Sequence, residues 1–111
     1  MKIKKKYIVT VDIGGTKTNI GYFSNGKLMK VSNFPTKKYG PENIHAISEI
    51  LINSKKNISA ICLSLTGLVN SKGIWNPINK ITLGDFKDYP VINTLKKIFN
   101  IPIYALGDTQ A

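Results

Sequence analysis

Five residues near the amino terminus have the types and spacing of an anion-binding turn: Asp12, Gly14, Gly15, Thr16 and Lys17. Consecutive glycines let main-chain N–H groups approach an anion closely, because no Cβ atoms stand in the way. The threonine can add a hydroxyl group, the lysine a positive charge, and the aspartate can hold Mg²⁺ through water. These groups would together bind the phosphates of a nucleotide, with a hairpin turn carrying an incidental acid as the alternative interpretation. The spacing matches neither a P-loop nor a dinucleotide-binding fingerprint.

Two further groups of polar residues follow apolar stretches of the chain. Thr66 and Gly67 follow one such stretch, and Gly107 and Asp108 follow another. Ligands of open α/β sheets bind beyond the carboxyl ends of the strands, so we expect these residues and Asp12 to converge on one cleft. A carboxylate there could take a proton from a substrate hydroxyl while Mg²⁺ and N–H groups hold phosphates, as phosphoryl transfer requires. For Asp108 alone, a loop acid or a helix N-cap is the alternative.

Hydrophobic patterning predicts the elements that must position these residues. Apolar and β-branched stretches predict strands at residues 7–13, 18–23, 27–34, 58–65 and 101–106, and amphipathic stretches predict helices that begin at Gly40 and at Tyr89-Pro90. Asn25-Gly26 predicts a hairpin turn between the second and third strands, and a long loop is predicted to follow the fourth. The order β-β-β-α-β-α-β indicates a mixed α/β sheet, and we expect a further helix after the fifth strand to cover it.

Charge and length limit the classes of protein to consider. The chain has 111 residues, with 16 basic residues that are all lysine and 6 acidic ones, for a net charge of +10. This length supports one domain with one core. A nucleic-acid-binding surface is expected to cluster arginine and aromatic residues with lysine, and that pattern is not present in the sequence. We therefore interpret the lysines as a solvated surface and predict no nucleic-acid partner.

The cysteine content and the hydropathy of the sequence indicate the cellular compartment of the protein. Cys62 is the single cysteine, so it cannot form an internal disulfide, and we expect a buried thiol in a reducing compartment. The apolar stretch after the basic residues 2–6 is interrupted by Asp12, too soon for an export signal. No run approaches the ~20 apolar residues of a membrane helix. The sequence predicts a cytoplasmic protein with no membrane partner.

The Asp-Ile-Gly-Gly-Thr-Lys stretch resembles the first phosphate loop of the ROK family of sugar kinases and repressors, in the actin-like, ribonuclease-H-like ATPase superfamily. Residues 66–79, with Thr-Gly-Leu-Val-Asn and Asn-Pro-Ile-Asn, resemble the sugar-binding part of the N-acetylmannosamine kinases in that family, and residues 89–111 resemble the segment that leads to their catalytic aspartate. The resemblance implies the N-terminal domain of the actin-like ATPase fold, with a mixed five-stranded sheet.

The resemblance also implies a role for each matched residue. Those of the ATP phosphate loop are Gly14, Gly15, Thr16 and Lys17, with Asp12 as the Mg²⁺-associated acid.

On the sugar side, Thr66, Gly67 and Asn79 fall in the substrate-binding stretch, and Asp108 falls on the general base that activates the sugar's 6-hydroxyl. Gly107 stands where the family usually has an asparagine that contacts sugar hydroxyls. The missing amide could weaken or redirect sugar specificity, because hydroxyl groups are left unpaired.

The implied function is that of the N-terminal lobe of an ATP- and Mg²⁺-dependent kinase acting on N-acetylmannosamine or a similar hexose. We expect the chain to be one lobe over residues 1–111, with the family's second lobe absent, and to be weakly active or inactive alone. The resemblance allows a homodimer in the full-length form.

A glucokinase of the same family is the near alternative, although Asn76-Pro77-x-Asn79 favours N-acetylmannosamine. A non-catalytic binding module or half of a split protein is also open. A ROK repressor is disfavoured, because only six residues precede the first predicted strand and a helix-turn-helix motif needs more.

Overall fold

The computed structural model describes residues 6–77 and 83–108. Its elements in chain order are β1 Tyr7–Ile13, β2 Lys17–Ser24, β3 Lys27–Pro35, α1 Gly40–Ile52, a 3₁₀ turn Lys55–Asn57, β4 Ile58–Leu65, β5 Leu68–Val69, β6 Trp75–Asn76, α2 Val91–Phe99 and β7 Ile103–Gly107. Every strand and helix predicted from hydrophobic patterning is present, with ends within about two residues of those predicted. Within the described residues, no helix is long and apolar enough to cross a membrane.

The main sheet has five strands in the order β3-β2-β1-β4-β7. β1 pairs antiparallel with β2, and β2 pairs antiparallel with β3. β1 pairs parallel with β4, and β4 pairs parallel with β7. The predicted mixed five-stranded sheet is confirmed, and the carboxyl ends of β1, β4 and β7 lie along one edge.

The segment after β4 differs from the prediction, because it contains a short hairpin where we predicted only a loop. β5 and β6 pair antiparallel, with Leu68 opposite Asn76 and Val69 opposite Trp75. The side-chain oxygen of Asn70 closes the hairpin by accepting from the main-chain N–H groups of Lys72 and Ile74, at 2.9 and 3.1 Å. Strands of two residues are too short to show the alternation from which strands are predicted.

The two faces of the sheet differ in their surroundings. On β1, the side chains of Val9, Val11 and Ile13 are buried in the core shared with α1 and α2, whereas the alternating side chains face the other way and are exposed. On that open face Tyr104 and Leu106 of β7 are 60% and 51% exposed. The further helix that we expect after β7 would lie outside the described residues.

Cys62 corrects one expectation. The sequence predicts a buried thiol, but Cys62 is only partly buried and alternates with the buried Ile61 and Leu63. Its thiol therefore lies on the open face of the sheet, in register with Thr10 and Tyr104.

Asn43 is a buried polar residue that fixes the start of α1. Its side-chain oxygen accepts from the Lys37 N–H at 2.8 Å, and its amide nitrogen donates to the carbonyl oxygens of Lys37 and Gly40, both at 3.2 Å. Tyr39 at the N-cap makes no side-chain capping bond. Asn43 therefore ties the loop before α1 to the first turn of the helix.

We expect Asn43→Asp to lower the free energy of unfolding by about 2 to 4 kcal/mol, because two donated bonds are lost and a carboxylate is buried. Urea denaturation measures the change. Asn93→Asp, on an exposed position of α2, is the matched control and should stay within about 0.5 kcal/mol of the parent. Equal losses of unfolding free energy for the two variants would show that the Asn43 hydrogen bonds do not stabilise the fold.

Candidate functional site

The carboxyl ends of β1, β4 and β7 bring the predicted site residues to one edge of the sheet. Ile13 pairs with Leu65, and Leu65 pairs with Gly107, so the residues that follow each strand start from the same row. The main-chain N–H of Gly67 donates a hydrogen bond to the Oδ1 atom of Asp108 at 3.0 Å. Two of the three predicted groups are therefore in direct contact.

The turn between β1 and β2 is exposed and held in shape by main-chain bonds. The Gly14 N–H donates to the Lys17 carbonyl oxygen at 3.1 Å, and the Thr36 N–H donates to the Thr16 carbonyl oxygen at 3.0 Å. A Cβ on Gly14 would lie 3.0 Å from the Lys17 carbonyl oxygen, which favours glycine at this position. The side chains of Thr16 and Lys17 are exposed, as is Gly15. The turn is therefore accessible to an anion.

Asp12 lies beside this turn on the open face, with polar neighbours in register on both adjacent strands. Asn19 of β2 and Ser64 of β4 are opposite Asp12, and all three residues are exposed. Carboxylate, amide and hydroxyl oxygens suit a hydrated Mg²⁺ ion. Among residues 6–77 and 83–108 there is no cluster of three or more His, Cys, Asp or Glu side chains that could hold a metal. The Asp12 carboxylate and its two neutral neighbours fit an ion that water also ligates.

The turn at Thr66 and Gly67 is tied to two other parts of the fold. The Thr66 hydroxyl donates to the Ile13 carbonyl oxygen at 3.1 Å, and the Trp75 Nε1–H donates to the Thr66 carbonyl oxygen at 3.0 Å. Gly67 has a φ of +120°, and a Cβ there would overlap the Asn76 carbonyl oxygen. Only glycine fits this position without displacing the hairpin.

Trp75 is the centre of a buried aromatic cluster beside the site. Its side chain is 0% exposed and contacts Phe86 and Tyr89 edge-on, with ring centroids 4.7 and 6.3 Å apart. Burial raises the pKa of the Tyr89 hydroxyl, against a smaller opposing effect of its hydrogen bond with Thr94 and a small further rise from Tyr39. The sequence predicts a loop over this stretch and assigns no role to Trp75. A lone tryptophan in a polar, glycine-containing stretch was the available signal.

Gly107 and Asn79 are the other two predicted substrate-binding positions. Gly107 is buried at the end of β7 and pairs with Leu65. Asn79 lies outside the described residues. The site in the structure is therefore built from Asp12, the turn at residues 14–17, the turn at residues 66–67 and Asp108.

Comparisons with known proteins agree with this fold. The family model described as the ROK family matches residues 8–111. The N-acetylmannosamine kinase of Vibrio vulnificus strain CMCP6 is 34% identical over 107 residues, which are 94% of this chain and 36% of that enzyme. A ROK hexokinase from Thermus thermophilus and a ROK family glucokinase from Streptomyces griseus with glucose and AMPPNP superpose with TM-scores of 0.73, at 24% and 19% identity. Both superpositions cover 92% of this chain and 35% and 33% of those chains.

The sheet order and the placement of the helices define an actin-like ATPase fold, as expected. Within that class, the chain belongs to the ROK family. It spans about a third of the length of the curated relatives that it matches.

Proposed function

We propose that this chain is the N-terminal part of an ATP-dependent kinase that phosphorylates the 6-hydroxyl of N-acetylmannosamine or a similar hexose. One observation carries the proposal. The exposed glycine turn and the Asp108 carboxylate follow strands of one sheet whose carboxyl ends share an edge, and Gly67 links that carboxylate to the predicted sugar-binding stretch at 3.0 Å. This is the division between phosphate binding and proton acceptance that phosphoryl transfer needs.

In the proposed reaction Asp108 is the general base. Its carboxylate accepts the proton of the 6-hydroxyl, so that the oxygen can attack the γ-phosphorus and form the new O–P bond as the bond to ADP breaks. The Gly67 N–H holds Oδ1, which leaves Oδ2 to receive the proton. Proton transfer and orientation are the contributions of this part of the site.

The β1–β2 turn would hold the nucleotide. The Gly15 main-chain N–H, the Thr16 hydroxyl and the Lys17 ammonium group are suited to phosphate oxygens, and Gly14 shapes the turn through its own bond to the Lys17 carbonyl oxygen. Asp12 would hold Mg²⁺ through water. ATP supplies the phosphoryl group, and Mg²⁺ offsets the charge of its phosphates.

The choice of sugar rests on the relatives and on one stretch of sequence. The V. vulnificus and Haemophilus influenzae relatives are N-acetylmannosamine kinases, at 34% and 28% identity. The Asn76-Pro77-x-Asn79 stretch favours the same sugar. A glucokinase is the second candidate, because ROK glucokinases share the fold and because Gly107 lacks the amide that usually contacts sugar hydroxyls.

We further propose that residues 1–111 form one lobe of a two-lobed kinase, since the chain covers 36% of the V. vulnificus enzyme. A second lobe would complete the nucleotide site. The chain alone should therefore show weak or no turnover. A cytoplasmic location and a homodimer of the full-length form belong to the same proposal.

An enzyme called here the joined kinase tests the function. It is this chain fused after Ala111 to the part of the V. vulnificus enzyme that the chain does not match. We expect ATP- and Mg²⁺-dependent phosphorylation of N-acetylmannosamine at a kcat/KM about tenfold above that for glucose, the size of effect that pocket contacts produce. A coupled ADP-release assay measures both rates.

The chain alone is the matched control in that assay. Comparable turnover by the chain alone would refute the one-lobe proposal. A preference for glucose would favour the glucokinase. If neither sugar reacted with a folded joined kinase, the kinase proposal would be refuted. The same would follow if neither sugar shifted the NMR signals of Gly67 and Asp108 in the chain alone.

A further inference from the structure

We propose that Trp75 is a positioning residue for the general base Asp108, acting through a single peptide group between Thr66 and Gly67. This inference rests on the proposed function, because it assigns Asp108 a catalytic part. The indole N–H holds the carbonyl end of the peptide group, and the N–H end of the same group holds Oδ1 of Asp108.

Asp108 carries the carboxylate that has to be positioned. Its side chain is exposed, directly after the last residue of β7. An exposed carboxylate rotates freely unless a donor fixes one of its oxygens, and a charge-assisted bond does so more strongly than a neutral one. The Gly67 N–H supplies that bond at 3.0 Å. The direction of this N–H therefore decides where the second oxygen points.

The peptide group between Thr66 and Gly67 is a rigid plane. The Thr66 carbonyl and the Gly67 N–H belong to one planar group and point in opposite directions, so neither can turn without the other. The Trp75 Nε1–H donates to that carbonyl at 3.0 Å. Rotation of the plane, which the flexible φ of a glycine would otherwise permit, would break both bonds. The two bonds also polarise the group in the same sense, so each strengthens the other.

Trp75 itself is held from several sides. Its ring is fully buried against Phe86 and Tyr89. Its main-chain N–H donates to the Tyr89 carbonyl oxygen at 2.7 Å, and the Tyr89 N–H donates back at 3.0 Å. The indole N–H is thus a fixed donor. The Thr66 hydroxyl adds a tether to Ile13, the residue after Asp12.

A hydrogen-bond scalar coupling between the Gly67 amide nitrogen and the Asp108 carboxyl carbon provides the test, measured by NMR on the chain itself. The chain has one tryptophan, so an amino-acid analogue in place of tryptophan changes Trp75 alone. Benzothienylalanine keeps the bicyclic shape but replaces N–H by sulfur. Fluorotryptophan keeps the N–H and is the matched control.

We expect the coupling to be present with tryptophan and with fluorotryptophan, and to fall about twofold or more with benzothienylalanine. Trp75→Phe should have the same effect as benzothienylalanine. Thermal unfolding establishes that each protein is folded. A merely structural role for the ring would leave the coupling intact in the folded benzothienylalanine protein, and that result would overturn the proposal.

The NMR test of the positioning role can fail or succeed independently of the kinase assay. The coupling reports the geometry of Gly67 and Asp108 whether or not any sugar reacts. If the coupling depended on the indole N–H but a folded joined kinase were inactive, the proposed function would be refuted. The positioning of the Asp108 carboxylate by Trp75 would still stand. An active joined kinase with a coupling independent of the indole N–H would refute the positioning role alone.

Discussion

Asp108→Asn is expected to lower kcat of the joined kinase by about 10²- to 10⁴-fold, the contribution of a positioned general base. The amide is close in shape to the carboxylate and can still accept from the Gly67 N–H, but it cannot take a proton from the sugar. KM for the sugar should therefore change little, and kcat and kcat/KM should fall together. Steady-state kinetics with N-acetylmannosamine measure both.

Asp88→Asn is the matched control for this loss. Asp88 is also an exposed aspartate, and its φ of +52° is one that asparagine adopts readily. It lies before α2, outside the proposed site, so its replacement should leave kcat unchanged. If Asp108→Asn kept most of the parent turnover, the alternative of a loop acid or helix N-cap would be the better account of Asp108.

Gly67→Ala is expected to lower the free energy of unfolding of the chain by about 3 to 5 kcal/mol, which is exceptional for a single methyl group. Two costs combine, because a φ of +120° strains any side chain and the new Cβ would overlap the main-chain oxygen of Asn76. That oxygen belongs to β6 and cannot move aside as the end of a flexible side chain can. Urea denaturation measures the loss.

Gly26→Ala separates the two costs. Gly26 has a φ of +76°, and a Cβ there would meet nothing within 4 Å. The substitution should cost about 1 to 2 kcal/mol, the strain of the left-handed conformation alone. Equal losses at Gly26 and Gly67 would contradict the overlap with Asn76.

The main sheet was predictable because its strands carry local signals. The run at residues 7–13 is apolar and β-branched, and Asn25-Gly26 marks a turn whose residues both have positive φ, at +52° and +76°. The general rule that ligands bind at the carboxyl ends of strands then predicts one edge for Asp12, Thr66 and Asp108. The structure places all three residues at that edge, and their roles remain predictions.

The supports of the site were not predictable in the same way. Gly67 and Asp108 are 41 residues apart in sequence, and Thr66 and Ile13 are 53 apart. Patterning reports only on neighbours within a turn of helix or a few strand positions, so it carries no information on such contacts. Asn43 was missed for a related reason, because its burial depends on how the loop before α1 folds back onto the helix.

Because Trp75 is buried beside the candidate site, it can serve as an intrinsic fluorescence probe of that site. It is the sole tryptophan, and its indole is hydrogen-bonded to the turn that also contacts Asp108. Indole emission depends on the polarity around the ring and on the partner of its N–H. Fluorescence excited selectively from tryptophan therefore originates beside the candidate general base, and events at that base can be followed in solution without a label.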